Sequence, residues 1–189
     1  GLRGAGKSTL GGRLAEALDV PFVELSREIE RIAGASVREI HDLYGSSAYH
    51  RYERRALDET VRTHAAAVIA TPGGIVAEPA TFNALLGHCT TVWLQASPEE
   101  HMARVAAQGD TRPMAQSREA MADLRRILAG RAPFYAKADA RFDTTGRTED
   151  ESFAGLLDLV SGLLVDGVRR DPRPPRVADD DMKQTAASA

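Results

Sequence analysis

The first nine residues, Gly1-Leu2-Arg3-Gly4-Ala5-Gly6-Lys7-Ser8-Thr9, match the pattern G-x-x-x-x-G-K-[ST] in full, and few sequence features constrain a fold so tightly. The glycines let the backbone turn its N–H groups inward around phosphate oxygens. Lys7 supplies a point charge for terminal phosphates, and the Ser8 hydroxyl suits a bound Mg²⁺. Leu10, Leu14 and Leu18 then recur on one helical face, with Ala15 and Ala17 between them, so a helix follows and aims its positive end at the same spot. Gly1, Gly4, Ala5, Gly6, Lys7, Ser8 and Thr9 are therefore the expected nucleotide-phosphate site. Such a loop normally joins a buried parallel strand to its helix, and no residue stands before Gly1. The expectation is a fragment that lacks its first strand and folds poorly alone. Several aliphatic side chains at about 1.5–3 kcal/mol each are a large share of a domain's roughly 5–15 kcal/mol.

Short apolar runs alternate with helical stretches, which implies an α/β fold with a central parallel sheet, a three-layer α/β/α sandwich. Strands are expected at Phe22–Leu25, Ala67–Thr71, Thr91–Gln95 and Arg141–Asp143. Helices are expected near Arg27–Ala33, Val37–Leu43, Ser47–Thr63, Arg118–Leu128 and Ser152–Val168. Ser36 with Glu39 reads as a capping box, and Ser97-Pro98-Glu99-Glu100 as a helix start. Gly109–Gln116 reads as a mobile loop. Residues 1–168 form the expected domain; 169–189, with prolines, an acidic run and an Ala-Ser end, read as a disordered tail.

Composition closes off other classes. A formal net charge of −3 gives this segment no electrostatic case for binding nucleic acid. No apolar run approaches the ~20 residues of a membrane span, and the nucleotide-binding loop leads to the expectation of a cytoplasmic location. Cys89 is the single cysteine, which excludes disulfides within the chain and is expected to be a small buried residue. His41, His50, His64, His88 and His101 show no metal-ligand pairing and are expected at the surface. No nucleophile elbow supports a serine hydrolase.

The phosphate loop, Phe22-Val23-Glu24-Leu25-Ser26, the Tyr49–Glu53 helix, Pro72-Gly73-Gly74, Arg112-Pro113 and Arg131-Ala132-Pro133-Phe134-Tyr135 together resemble the shikimate kinases over roughly residues 1–165. The resemblance implies a small P-loop kinase that uses ATP and Mg²⁺ to phosphorylate a hydroxyl of a carboxylated ring. It implies that Lys7 and Arg112 are catalytic, Arg112 being the lid arginine. Ser8 and Glu24 would serve the metal, and Arg131, Gly73 and Gly74 the substrate. The departures fall on the acceptor side. The family's Asp-x-Asp is Glu24 and Ser26 here, its substrate arginine falls at His50 beside Arg51, and the first glycine of its triplet is Pro72. Ser26 offers no carboxylate base. Tyr44, Tyr49 and Tyr52 are candidates to line a flatter pocket, with Tyr52 equally suited to the core.

This combination resembles a branch of the family found as the C-terminal domain of helix-turn-helix regulators of benzoate catabolism. The implied function is a sensor, impaired as an enzyme, that binds an aromatic CoA thioester such as benzoyl-CoA, with ATP and Mg²⁺ retained or vestigial. Ser26, His50, Gly73, Gly74 and Arg131 would hold the effector. DNA would be reached through an upstream domain, and a homodimer would match a palindromic operator. The alternative is an active small-molecule kinase, shikimate kinase or a relative of it. A gluconate kinase shares the loop but leaves Arg131–Tyr135 unexplained.

Overall fold

The computed structural model describes residues 1–107 and 118–169. Helix α1 (Lys7–Ala17) leads to strand β1 (Phe22–Glu24), then α2 (Leu25–Ala33) and the long α3 (Val37–Thr63). Strand β2 (Val68–Ala70), a 3₁₀ turn (Ile75–Ala77) and α4 (Pro79–His88) follow. The chain continues as β3 (Val92–Gln95), α5 (Pro98–Ala107), α6 (Arg118–Tyr135), β4 (Ala140–Asp143) and α7 (Glu149–Arg169). All strands pair in parallel. Phe22, Val23 and Glu24 stand opposite Val68, Ile69 and Ala70, and Val92–Gln95 opposite Ala140–Asp143. This is the α/β architecture expected, with all four strands in place.

The strands make two separate pairs, β1–β2 and β3–β4. A cleft of about 590 Å³ lies between them, lined by Val68–Ala70 on one side and Val92 and Leu94 on the other, with Leu14 and Val160 above. Each pair therefore turns one unpaired edge toward the cleft. The first core packs Leu25, Ile29, Ile40, Tyr49, Leu57, Phe82 and Tyr135 around α2, α3 and α4. The second packs Leu10, Leu14, Leu94, Phe142, Leu156 and Val160 between α1, α7 and the β3–β4 pair.

Local rules account for most boundaries. Ser36 Oγ accepts from the Glu39 N–H at 3.2 Å while the Glu39 carboxylate accepts from the Ser36 N–H at 2.8 Å, a complete capping box. Thr148 and Glu151 repeat it at the start of α7, which therefore begins earlier than the apolar face alone implied. At α5 the Ser97 hydroxyl accepts from the Glu100 N–H at 3.2 Å. The two helices expected between Val37 and Thr63 run on as α3, broken only at Gly45, whose φ of 74° and ψ of 176° are non-helical; glycine alone adopts such a φ without penalty.

Several expectations need correction. Strand Phe22–Leu25 ends at Glu24, so Ser26 lies in the first turn of α2 rather than at a strand end. Arg131 sits well inside α6, which runs through Pro133 to Tyr135; one proline removes one N–H bond, and the packing of Tyr135 into the first core holds the last turn. Helix α4, with Pro79 at its first position, was not anticipated. His101 is 2% exposed, not a surface residue, because it packs beneath the phosphate loop. Cys89 is half-buried at the end of α4, where burial raises its thiol pKa. The 109–116 loop with Arg112 and the 170–189 tail fall outside the described residues. Among those described, no helix is long and apolar enough to cross a membrane.

Candidate active site

The phosphate loop takes the shape its sequence requires. Gly4 and Gly6 have φ of 82° and 85°, a region closed to most side chains, and Ala5 is fully buried between them. Lys7, at the first position of α1, folds its ammonium over the loop and donates to the Gly1 and Leu2 carbonyls at 3.0 and 2.8 Å. Burial lowers its pKa to about 8, against an opposing pull from Glu24. A lysine so placed is poised between charged and neutral forms, and an incoming phosphate favours the charged one.

Ser8 and Glu24, sixteen residues apart, meet: Ser8 Oγ donates to Glu24 Oε1 at 2.8 Å. A hydroxyl and a carboxylate oxygen at the mouth of a phosphate loop are the hard donors Mg²⁺ prefers, with phosphate oxygens and water completing its shell. The residues present therefore fit the metal. Thr9 is exposed one position on.

The segment after β2 packs against the phosphate loop. A Cβ built on Gly73 would lie 3.0 Å from the Arg3 nitrogen and 3.2 Å from Leu2 backbone carbon, so this glycine presses directly on the phosphate loop. The Gly73 carbonyl accepts from Arg131 Nη1 at 3.0 Å and from the Tyr135 hydroxyl. Arg131, Gly73 and the loop thus share one place, although 58 residues separate the first two. Gly74 follows at the start of the 3₁₀ turn, and Ser26 sits half-buried directly after Glu24 and Leu25.

His50 is half-buried on α3, and its Nδ1–H donates to Glu53 Oε2 at 3.2 Å. Glu53 is fully buried and also accepts from the Tyr49 hydroxyl at 3.2 Å. Burial raises its pKa, with His50 pulling the other way. Arg51 points outward and is exposed, Tyr44 is 63% exposed, and Tyr52 packs against the first core; of the three tyrosines, Tyr49 is the one tied to a polar cluster.

Two supports of the loop escaped sequence reasoning. His101 Nδ1–H donates to the Arg3 carbonyl at 2.9 Å, and burial lowers its pKa, which keeps it neutral beside Lys7. Arg104 reaches the Gly4 carbonyl and the Thr144 hydroxyl, both at 3.4 Å. Both residues come from α5, about a hundred positions away, and no local pattern announces them.

Comparison with known proteins agrees with this arrangement. The family model described as shikimate kinase matches residues 3–161. A shikimate kinase of a Synechococcus species is 32% identical over 170 residues, 90% of this chain and 84% of the relative. One from Thermus thermophilus is 37% identical over 158 residues, 84% of this chain and 85% of the relative. Among solved structures, shikimate kinase from Acinetobacter baumannii in complex with shikimate superposes with a TM-score of 0.72 at 28% identity, covering 90% of this chain and 92% of that one. These relatives overturn the expectation of a regulator's sensor domain. They carry the name of the enzyme over nearly their whole length, and neither the benzoyl-CoA effector nor the link to DNA finds support among them. A family model covering most of the sequence, relatives above 30% identity and the shared fold lead to one conclusion: the chain belongs to the shikimate kinase family.

Proposed function

We propose that the protein is an ATP-dependent small-molecule kinase that transfers a phosphoryl group to a hydroxyl of shikimate or a close carboxylated analogue. The observation that carries this reading is the contact of Gly73 with Leu2 and Arg3, which sets the acceptor segment against the donor loop. Phosphoryl transfer needs positioning and positive charge more than covalent help. The loop amides and Lys7 would hold the donor phosphates, and Ser8 and Glu24 would hold Mg²⁺, which when bound would neutralise charge on the phosphates. Arg131, fixed through Gly73, offers its guanidinium to the acceptor carboxylate. Ser26 takes the place beside Glu24 where a hydroxyl of the acceptor is bonded, and it does so as a neutral donor and acceptor. A loose transition state tolerates this, because the attacking hydroxyl surrenders its proton late. Arg112, which lies outside the described residues, joins this reading only through the family resemblance, as a further cation for the phosphates.

The test is ADP release from MgATP, coupled to a reporter, with and without shikimate. Shikimate-dependent turnover within the usual ~1–100 s⁻¹ of kinases supports the reading. ADP release that ignores shikimate, or none at all, overturns it. Shikimate binding alone does not rescue it.

A further inference from the structure

His101 is a buried imidazole that the proposed chemistry leaves unused. It is 2% exposed, and an imidazole hidden from water is costly unless it is hydrogen-bonded. It stands one turn into α5, where its backbone N–H donates to the Ser97 carbonyl at 3.0 Å. Its ring reaches the Arg3 carbonyl at 2.9 Å. A carbonyl has no proton to give, so Nδ1 carries the hydrogen and donates. Burial above all, with Lys7 and Arg104 nearby, disfavours a charge on the ring. His101 therefore supplies direction to the loop, while Lys7 supplies charge.

The carbonyl it holds belongs to the Arg3–Gly4 peptide, which is trans. In a trans peptide the C=O and the following N–H point in opposite directions, so fixing the Arg3 carbonyl toward α5 turns the Gly4 N–H away from α5. Gly4 has a φ of 82°. The freedom that admits this value also lets the Arg3–Gly4 plane turn over, by paired rotation about Arg3 ψ and Gly4 φ. Turned over, the plane presents an oxygen to an anion in place of an N–H.

Neighbouring carbonyls are held in a related way. Lys7 bonds those of Gly1 and Leu2, and Arg104 reaches that of Gly4 at 3.4 Å. Lys7 is also the group a phosphate recruits, so its hold on the carbonyls competes with the ligand. The bonds from α5 do not compete, because α5 is anchored apart from the loop. Glu100 accepts from the Gly146 N–H at 2.8 Å and from Arg104 at 3.0 Å, and Ser97 caps the first turn.

From this we infer that His101 is a positioning residue for the phosphate donor: its bond to the Arg3 carbonyl aims the Gly4 N–H at a nucleotide phosphate on the side of the loop away from α5. The inference rests on the proposed kinase reading for the identity of the donor, and makes no use of the acceptor. The role is separable from bulk. An asparagine amide nitrogen lies the same number of bonds from Cα as Nδ1 and carries N–H donors, whereas leucine fills space without a donor.

The experiment is calorimetry of MgADP and of magnesium tripolyphosphate binding to the whole chain, joined to steady-state kinetics with ATP and shikimate. His101→Leu is expected to bind both ligands about tenfold more weakly, the scale of one lost buried hydrogen bond. Its KM for ATP should rise by the same factor while its KM for shikimate stays unchanged. His101→Asn, although smaller, should restore binding to within about threefold of the wild type; a loss of packing alone would be made worse by asparagine. If His101→Leu does not fold, nuclear magnetic resonance of the wild type tests the same geometry: the Gly4 amide proton should move downfield when either ligand is added. Unchanged affinity in His101→Leu, no rescue by His101→Asn, a Gly4 amide that does not respond, or a wild type that binds neither ligand overturns the inference. The expected binding pattern without shikimate-dependent turnover keeps it and overturns the kinase reading instead.

Discussion

Lys7 combines burial with the phosphate site, and its behaviour with pH follows from that. Its pKa is lowered from 10.5 to about 8, first by desolvation. In the unfolded chain it stays protonated to higher pH, so below about 8 the folded state carries the full cost of a buried ammonium, which is relieved as pH rises from about 8 to 10.5. ATP binding has the opposite sense. Phosphates favour the charged lysine, so the ATP dissociation constant is expected to be flat below about pH 8 and to rise toward tenfold per unit above it, as fluorescence titration with a nucleotide analogue reads. Lys7→Ala should bind ATP at least tenfold more weakly and lose this slope; unchanged affinity would remove the loop from the donor site. At Gly73 the constraint is steric. A methyl group 3.0 Å from the Arg3 nitrogen must displace the loop or the segment carrying it. Gly73→Ala is therefore expected to lower kcat/KM at least tenfold, and an unimpaired variant would show that the two segments move independently. Ser26→Asp adds a carboxylate two positions after Glu24 and should raise kcat/KM for shikimate, measured against the wild type at equal ATP. Of these residues the phosphate-loop set was legible from spacing alone. The roles of His101 and Arg104 were not, because each acts on the loop from α5 through a contact about a hundred residues long.

At the scale of elements, local chemistry is a good guide to where helices begin. The reciprocal bonds of Ser36 and Glu39 start α3, whose first third, up to the break at Gly45, is largely exposed apart from the buried Ile40. Ser36→Ala is expected to cost about 1 kcal/mol, seen as a lower midpoint in urea with an unchanged slope; no change would mean that tertiary contacts alone hold that end. Both stretches expected within α3 are present, as are all four strands, each within one or two residues. Element ends decided by packing were less legible. Apolar periodicity placed α6 only as far as Leu128, whereas the burial of Tyr135 carries it through Pro133. Helix α4 has Thr81, Phe82, Leu85 and Leu86 buried, a face too short and too evenly apolar to stand out in sequence.

At the scale of the molecule, the two half-sheets and the cleft between them dominate. Strand edges at Val68–Ala70 and Val92–Gln95 face each other across about 590 Å³ of largely aliphatic lining. A run of about five apolar residues fused ahead of Gly1 is expected to seat in the cleft with ladders on both sides. Its side chains add about 1.5–3 kcal/mol each, offset in part by about 1–2 kcal/mol per ordered residue. The expected outcome is a rise in Tm of about 5 °C or more, against no rise for a Gly-Ser run of equal length. Equal effects of the two runs would show that the cleft does not accept a strand.

The sequence by itself determined the phosphate loop, the alternation of strands and helices, and the caps, because each is written in residues within a few positions of one another. It also pointed to the acceptor side through Ser26, His50 and Pro72, but from these it drew a regulator where the relatives show an enzyme family. The tertiary structure alone decided which of these residues meet: Ser8 with Glu24, Arg131 with Gly73, and Gly73 with the loop. It also decided that Glu53 is buried with His50 and Tyr49 as its hydrogen-bond partners. Periodicity states which face of an element is apolar. Only the packing of separate elements fixes which polar atoms share a space from which water is excluded, and there their charges become chemistry.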